Sequence, residues 1–153
     1  MNVADLNVRD LVPHSGAMLL IDTLTSATDT VLHASCTVRN DGLFNLPDGR
    51  VPVMAAVEYM AQAVAAFGGI RSHGNGQSIK PGLLLGARNF SASASHLIPG
   101  DRLDITVTLV IESVNGLAVF DCEITGPDVH ATARLTVITT DSLSELAAAA
   151  AAQ

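Results

Sequence analysis

Residues 52–69 read PVMAAVEYMAQAVAAFGG. Pro52 can open a helix, because its missing N–H is one that the first turn leaves unbonded anyway. Val53 to Phe67 are good helix formers, and Gly68-Gly69 offers a stop. The segment is apolar nearly all round and rich in alanine, so the helix is expected to be buried on most sides and approached closely by its neighbours. With Val51 and Ile70 it nears membrane-spanning length. Glu58, Gln62 and the glycine pair argue instead for the core helix of a globular domain.

On the N-terminal side, residues 1–17 are expected to form an irregular or partly helical lead-in ending in Val12-Pro13-His14-Ser15-Gly16-Ala17, and 18–24 is a short apolar run expected to be extended. Residues 30–39 alternate, with Leu32, Ala34, Cys36 and Val38 on one face and Val31, His33, Ser35, Thr37 and Arg39 on the other, as in a half-buried strand. Residues 40–50 are rich in turn formers. Beyond a polar, glycine-rich connection over 71–82 come four expected strands, 83–93, 103–114, 117–125 and 129–139. They are punctuated by Pro99-Gly100-Asp101, Asn115-Gly116 and Gly126-Pro127-Asp128. Asn-Gly between alternating runs signals a hairpin. Leu103, Ile105, Val107, Leu109 and Ile111 mark one face of the second of these strands, and Ala118, Phe120, Cys122 and Ile124 one face of the third. One long helix among antiparallel strands gives an α+β fold, a sheet curled around a helix in a single domain over residues 1–141. An alanine-rich tail follows over 142–153. The unpaired sheet edges and under-covered helix predict a dimer.

The composition narrows the function. Eight Lys and Arg against fifteen Asp and Glu give a net charge of −7, and only 3% of the 153 residues are aromatic, with no Trp. A nucleic-acid binder is not expected from such a chain. Cys36 and Cys122 lie in strand runs outside any metal spacing and read as buried thiols; the five histidines are scattered, so no metal is expected. The N-terminus shows no basic, apolar leader, which leaves a cytoplasmic location as the expectation.

Glu58 and Gln62 are the informative polar pair, at i and i+4 on the most apolar helix. A carboxylate beside an amide in an apolar groove is a general acid–base candidate. It is equally an internal hydrogen bond that solves a packing problem. His14, after Pro13 and before Ser15-Gly16, either reaches into such a site or bonds local backbone.

Three stretches carry a resemblance. Val12-Pro13-His14-Ser15-Gly16-Ala17-Met18-Leu19-Leu20-Ile21-Asp22 resembles the opening of the β-hydroxyacyl-ACP dehydratases, LPHR-P followed by LLVDR. Glu58-Tyr59-Met60-Ala61-Gln62 resembles their helix motif, and Leu97-Ile98-Pro99-Gly100-Asp101-Arg102-Leu103 their PGD turn. The order and spacing match from about residue 10 to 139. The usual catalytic histidine of a GHFPG motif is missing: Leu43-Phe44-Asn45-Leu46-Pro47-Asp48-Gly49 stands there, with Phe44 or Asn45 in its place. That departure is similar to the divergent, aryl-polyene-type branch of hotdog dehydratases.

The resemblance implies a hotdog fold and loss of water from a 3-hydroxyacyl thioester, carried by ACP or CoA, to give a trans-2-enoyl thioester in fatty-acid or polyene synthesis. It implies His14 as base and Glu58 as acid. Gln62, orienting Glu58, is expected at the substrate together with Met54, Ala55 and Asn45, and no cofactor is needed. A silent hotdog subunit completing a homodimer or heterodimer with an active dehydratase is the alternative, and an acyl thioesterase a further one. Arg50, Arg71, Lys80, Arg88 and Arg102 are the candidates for a patch that meets an acidic carrier.

Overall fold

The computed structural model describes residues 2–152. In chain order the elements are β1 Thr23–Ala27, β2 Val31–Thr37, β3 Val51–Pro52, α1 Ala56–Gly74, β4 Gly82–Ala92, β5 His96–Leu97, β6 Arg102–Glu112, β7 Leu117–Thr125, β8 His130–Thr139 and α2 Thr140–Ala151. Six strands form one antiparallel sheet in the order β1-β2-β6-β7-β8-β4, and β3 pairs with β5 in a two-residue ladder apart from it. The sheet wraps α1, as expected of a hotdog.

Alternation explains which face turns inward. Leu32, Ala34 and Cys36 on β2, Leu103, Ile105 and Val107 on β6, Phe120, Cys122 and Ile124 on β7, and Ala131, Ala133 and Leu135 on β8 are all buried. Both thiols are pushed up to about 12, chiefly by burial. The alternation of β6 fails at its end. A bulge between Leu109 and Ile111 inserts one residue against β7, and Val110 and Ile111 both emerge into solvent. The expected inward Ile111 is thereby corrected.

At 100° per residue, α1 presents three faces. Ala56, Met60, Ala63 and Phe67 are buried toward the sheet. Gln62 and Gly69 face the lead-in, which packs Val8, Leu11, Val12, Leu19, Leu20 and Ile21 into the same core. Glu58, Ala61, Ala65, Gly68 and Arg71 line a cleft. By length and apolarity the segment Val53–Gly74 is capable of crossing a bilayer, yet here it is the core helix.

Gly68-Gly69 does not stop the helix; α1 continues to Gly74, and Gly76, at φ +66°, turns the chain away. The two glycines do different work. A Cβ on Gly69 would fall 2.2 Å from the backbone oxygen of Leu11, so glycine is what lets the lead-in lie against the helix. A Cβ on Gly68 meets nothing within 4 Å. The run expected to be extended from residue 18 leaves a 3-10 turn, Gly16–Met18, is extended at Leu19, and joins the sheet only at Thr23. The alanine-rich tail is helical as far as Ala151, in α2, which begins at Thr140.

The two glycines make a paired prediction. Gly69→Ala should lower stability by about 2 kcal/mol or more through backbone displacement. Gly68→Ala should raise it by roughly 0.5–1 kcal/mol through helix propensity. Urea denaturation of both variants against wild type checks the opposite signs.

Candidate active site

The side-chain amide of Gln62, fully buried, is the fixed point of the site. Its Oε1 accepts the N–H of Leu20 at 2.8 Å, and its Nε2 donates to the carbonyl of Met18 at 2.6 Å. One amide thus pairs with two backbone groups of an extended segment, as a neighbouring strand would. Nε2 also donates to Glu58 Oε1 at 3.0 Å, one turn earlier on the helix.

The same clamp delivers His14. The chain leaves the lead-in through Pro13-His14-Ser15 and reverses at Gly16, whose φ of +58° suits glycine, before Met18 reaches Gln62. His14 Nε2 arrives 3.3 Å from Glu58 Oε1, with the two side chains 26% and 29% exposed. His14 Nδ1 is buried with no hydrogen-bond partner among the described residues, so nothing behind the ring fixes its tautomer. Oε1 of Glu58 faces both Gln62 and His14, and Oε2 is left for whatever enters the cleft.

The cleft has a volume of ≈ 270 Å³. It starts at Pro13, His14 and Glu58 and runs along α1 past Ala61, Val64, Ala65, Phe67 and Gly68 to Arg71. Leu84, Ala118, Phe120 and Val137 of the sheet line its other wall, and Phe67 and Phe120 meet edge to face with centroids 5.4 Å apart. An acid–base pair at the head of an apolar lane suits proton transfer on an apolar chain bearing one polar reacting end.

The structure therefore brings His14, Glu58 and Gln62 together and leaves the other candidates apart. Gln62 is enclosed and holds Glu58 and the lead-in, so it acts as a positioning residue and has no surface for substrate. Asn45 ties its own turn: Nδ2 donates to the carbonyls of Arg39 and Gly49, both at 2.7 Å, and Oδ1 accepts from Gly42 N–H. Met54 and Ala55 lie in the 3-10 turn Val53–Ala55 before α1, outside the cleft lining, with the Met54 side chain 61% exposed. Four of the five candidates for a carrier patch already have partners within the chain. Arg50 pairs with Asp48, Arg71 with Glu112, Lys80 with Asp141 and Arg102 with Asp104, so these charges are answered within the chain. No group of three His, Cys, Asp or Glu side chains able to hold a metal occurs among the described residues.

Sequence reasoning set Glu58 in an apolar groove but did not trace the course of the lane along α1. Its signal was present in the small side chains Ala61, Ala65 and Gly68, which follow Glu58 at i+3 and i+4 intervals.

Residues 6–148 match the family model of the ApeP dehydratases, described as ApeP-like. The chain belongs to the ApeP-like dehydratase family. A subunit of the dehydratase heterocomplex ApeI:P from Xenorhabdus doucetiae superimposes with a TM-score of 0.83 at 28% identity, over 92% of this chain and 97% of that one. Two more distant structures share the hotdog fold alone. A hypothetical thioesterase from Streptococcus pneumoniae, solved with coenzyme A, gives a TM-score of 0.56 at 17% identity over 76% of this chain and 84% of its own. A sigma28-regulated virulence protein from Campylobacter jejuni gives 0.63 at 12% over 88% and 97%. No curated relative matches the chain in sequence.

Gln62→Leu is expected to lower stability by about 2–4 kcal/mol, since it orphans the Met18 carbonyl and the Leu20 N–H. The midpoint of urea unfolding checks this. Gln62→Glu, which buries a second carboxyl against Glu58 and the Met18 carbonyl, should cost at least as much as Gln62→Leu.

Proposed function

We propose that the protein dehydrates 3-hydroxyacyl thioesters, held on an acyl carrier protein or CoA, to trans-2-enoyl thioesters in the cytoplasm. The observation that carries this is the meeting of His14 and Glu58 at the head of an apolar lane. Dehydration needs one group to take a proton from C2 and another to protonate the C3 hydroxyl as it leaves. In the proposed cycle, neutral His14 takes the C2 proton on Nε2, the electron pair forms the C2–C3 double bond, and the C3–O bond breaks. Glu58 supplies the proton from Oε2 and water departs. The proton then leaves His14 Nε2 for Glu58 Oε1 across their 3.3 Å contact, and exchange through water in the cleft moves it to Oε2, restoring the starting pair. Gln62 keeps Oε1 in place throughout.

A second reading concerns assembly. The edge strand β4 carries Leu83, Leu84 and Leu85, all exposed, over eleven residues whose outer side pairs with no other strand among the described residues. A long apolar edge of this kind is completed by another strand. The similar Xenorhabdus protein occurs in a heterocomplex. We infer that β4 pairs with a second hotdog subunit, either a copy of this chain or an active dehydratase subunit.

Glu58→Gln preserves the acceptor toward Gln62 and removes proton transfer. It should reduce dehydration about 10²-fold or more with unfolding unchanged within about 1 kcal/mol. Mass spectrometry of the acyl group reads the reaction: loss of one water identifies the dehydratase, free acid a thioesterase, and no change in either protein a silent subunit. For the edge, light scattering should give a dimer mass for wild type, alone or co-expressed with an active dehydratase subunit, and a monomer mass for Leu85→Lys. A wild-type monomer under both conditions rules the edge out.

A further inference from the structure

The lane that starts at Glu58 ends in charge. Arg71, at the last turns of α1, reaches across to Glu112 at the end of β6 and donates through Nη1 to both carboxylate oxygens, at 3.0 and 3.1 Å. Its guanidinium lies over the Phe67 ring, 5.6 Å from the centroid. Glu58 and Arg71 both line the cleft and are thirteen residues apart on one helix, about 20 Å along the axis at 1.5 Å per residue and about 140° apart around it, so the lane winds partly around α1. That is the reach of a long acyl chain. Everything between them on the helix face is small or apolar.

A neutralised ion pair at this place does not suit an anion, because Glu112 already answers the charge of Arg71 and Asp141 that of Lys80 beside it. It suits a stop. A methylene driven into the pair separates two groups that hold each other and gains no apolar wall in return, whereas every methylene short of it gains contact with Ala65, Gly68, Phe67 and Phe120. We propose that the Arg71–Glu112 pair is the end wall of the acyl lane and sets the longest chain that the lane accepts. The proposal rests on the dehydratase reading for the identity of the occupant, and on the cleft alone for its length.

Gly68 supplies an opposed test. A Cβ there meets nothing within 4 Å, so a larger side chain projects into the lane roughly three-quarters of the way along it. A helix interior tolerates leucine better than glycine, so Gly68→Leu keeps the fold.

The experiment measures binding of saturated acyl-pantetheine thioethers, from hexanoyl to octadecanoyl, by calorimetry on the full chain. Affinity in wild type should rise a few-fold per added methylene up to a break length and then level off. In Arg71→Ala and Glu112→Ala the break should move to longer chains, and in Gly68→Leu to shorter ones. A break that stays in place in all three folded variants, or no dependence on chain length in wild type, overturns the end wall. Dehydration assayed on the same samples keeps the two ideas separate: a moving break without dehydration retains the end wall and removes the reaction, and dehydration with a fixed break does the reverse.

Discussion

One buried amide organises this protein. Gln62 lies on the helix at the centre of the sheet, where an unbonded polar group carries a penalty of about 1–3 kcal/mol. It is satisfied only by the Met18 carbonyl, the Leu20 N–H and the Glu58 carboxylate together. Meeting that requirement pulls the lead-in over the helix. The lead-in can lie there because Gly69 leaves room for the Leu11 carbonyl. The same bonds place His14 and orient Glu58, so packing and chemistry share a cause. Removing the amide is expected to disturb both.

The three faces of α1 divide the labour of the fold. One is buried toward the sheet, one is clamped by the lead-in, and one borders the cleft. The third face is where a soluble core would ordinarily continue. Here it is faced with small residues and closed at its far end by an ion pair. The apolar edge at β4 is the other place where the core stops short, and Leu84 belongs both to that edge and to the cleft wall. A subunit added at the edge would therefore bear on the lane as well.

Charge plays a different part from the one that composition suggests. The chain is acidic, and Arg50, Arg71, Lys80 and Arg102 are held in pairs. The Asp141 carboxylate holds the Lys80 ammonium above its ordinary pKa, and bonds from Arg50 hold Asp48 below the usual carboxylate range. Exposed pairs of this kind contribute little to stability. Their consequence is local: a carrier that uses these cations must exchange one acidic partner for another, so its binding should be sensitive to salt.

The sequence by itself determined the parts that local periodicity controls. Alternation placed five strands of the large sheet within two residues of their observed ends, apolarity placed the central helix, and the i, i+4 spacing joined Glu58 to Gln62. The three resembling stretches named the family, since their joint order and spacing survive divergence. Tertiary structure alone decided what depends on distant segments meeting. That His14 faces Glu58 follows from a clamp between residues 44 apart in the chain. That Gly69 admits a backbone, where the sequence suggested a helix stop, follows from where Leu11 lies. Ile111 faces solvent because a bulge changed the register against β7, and Asn45 is occupied because its turn folded around it. The lane needed α1 and the sheet to stand a chain's width apart. Such separations are set by the whole core, and no single stretch of sequence encodes them.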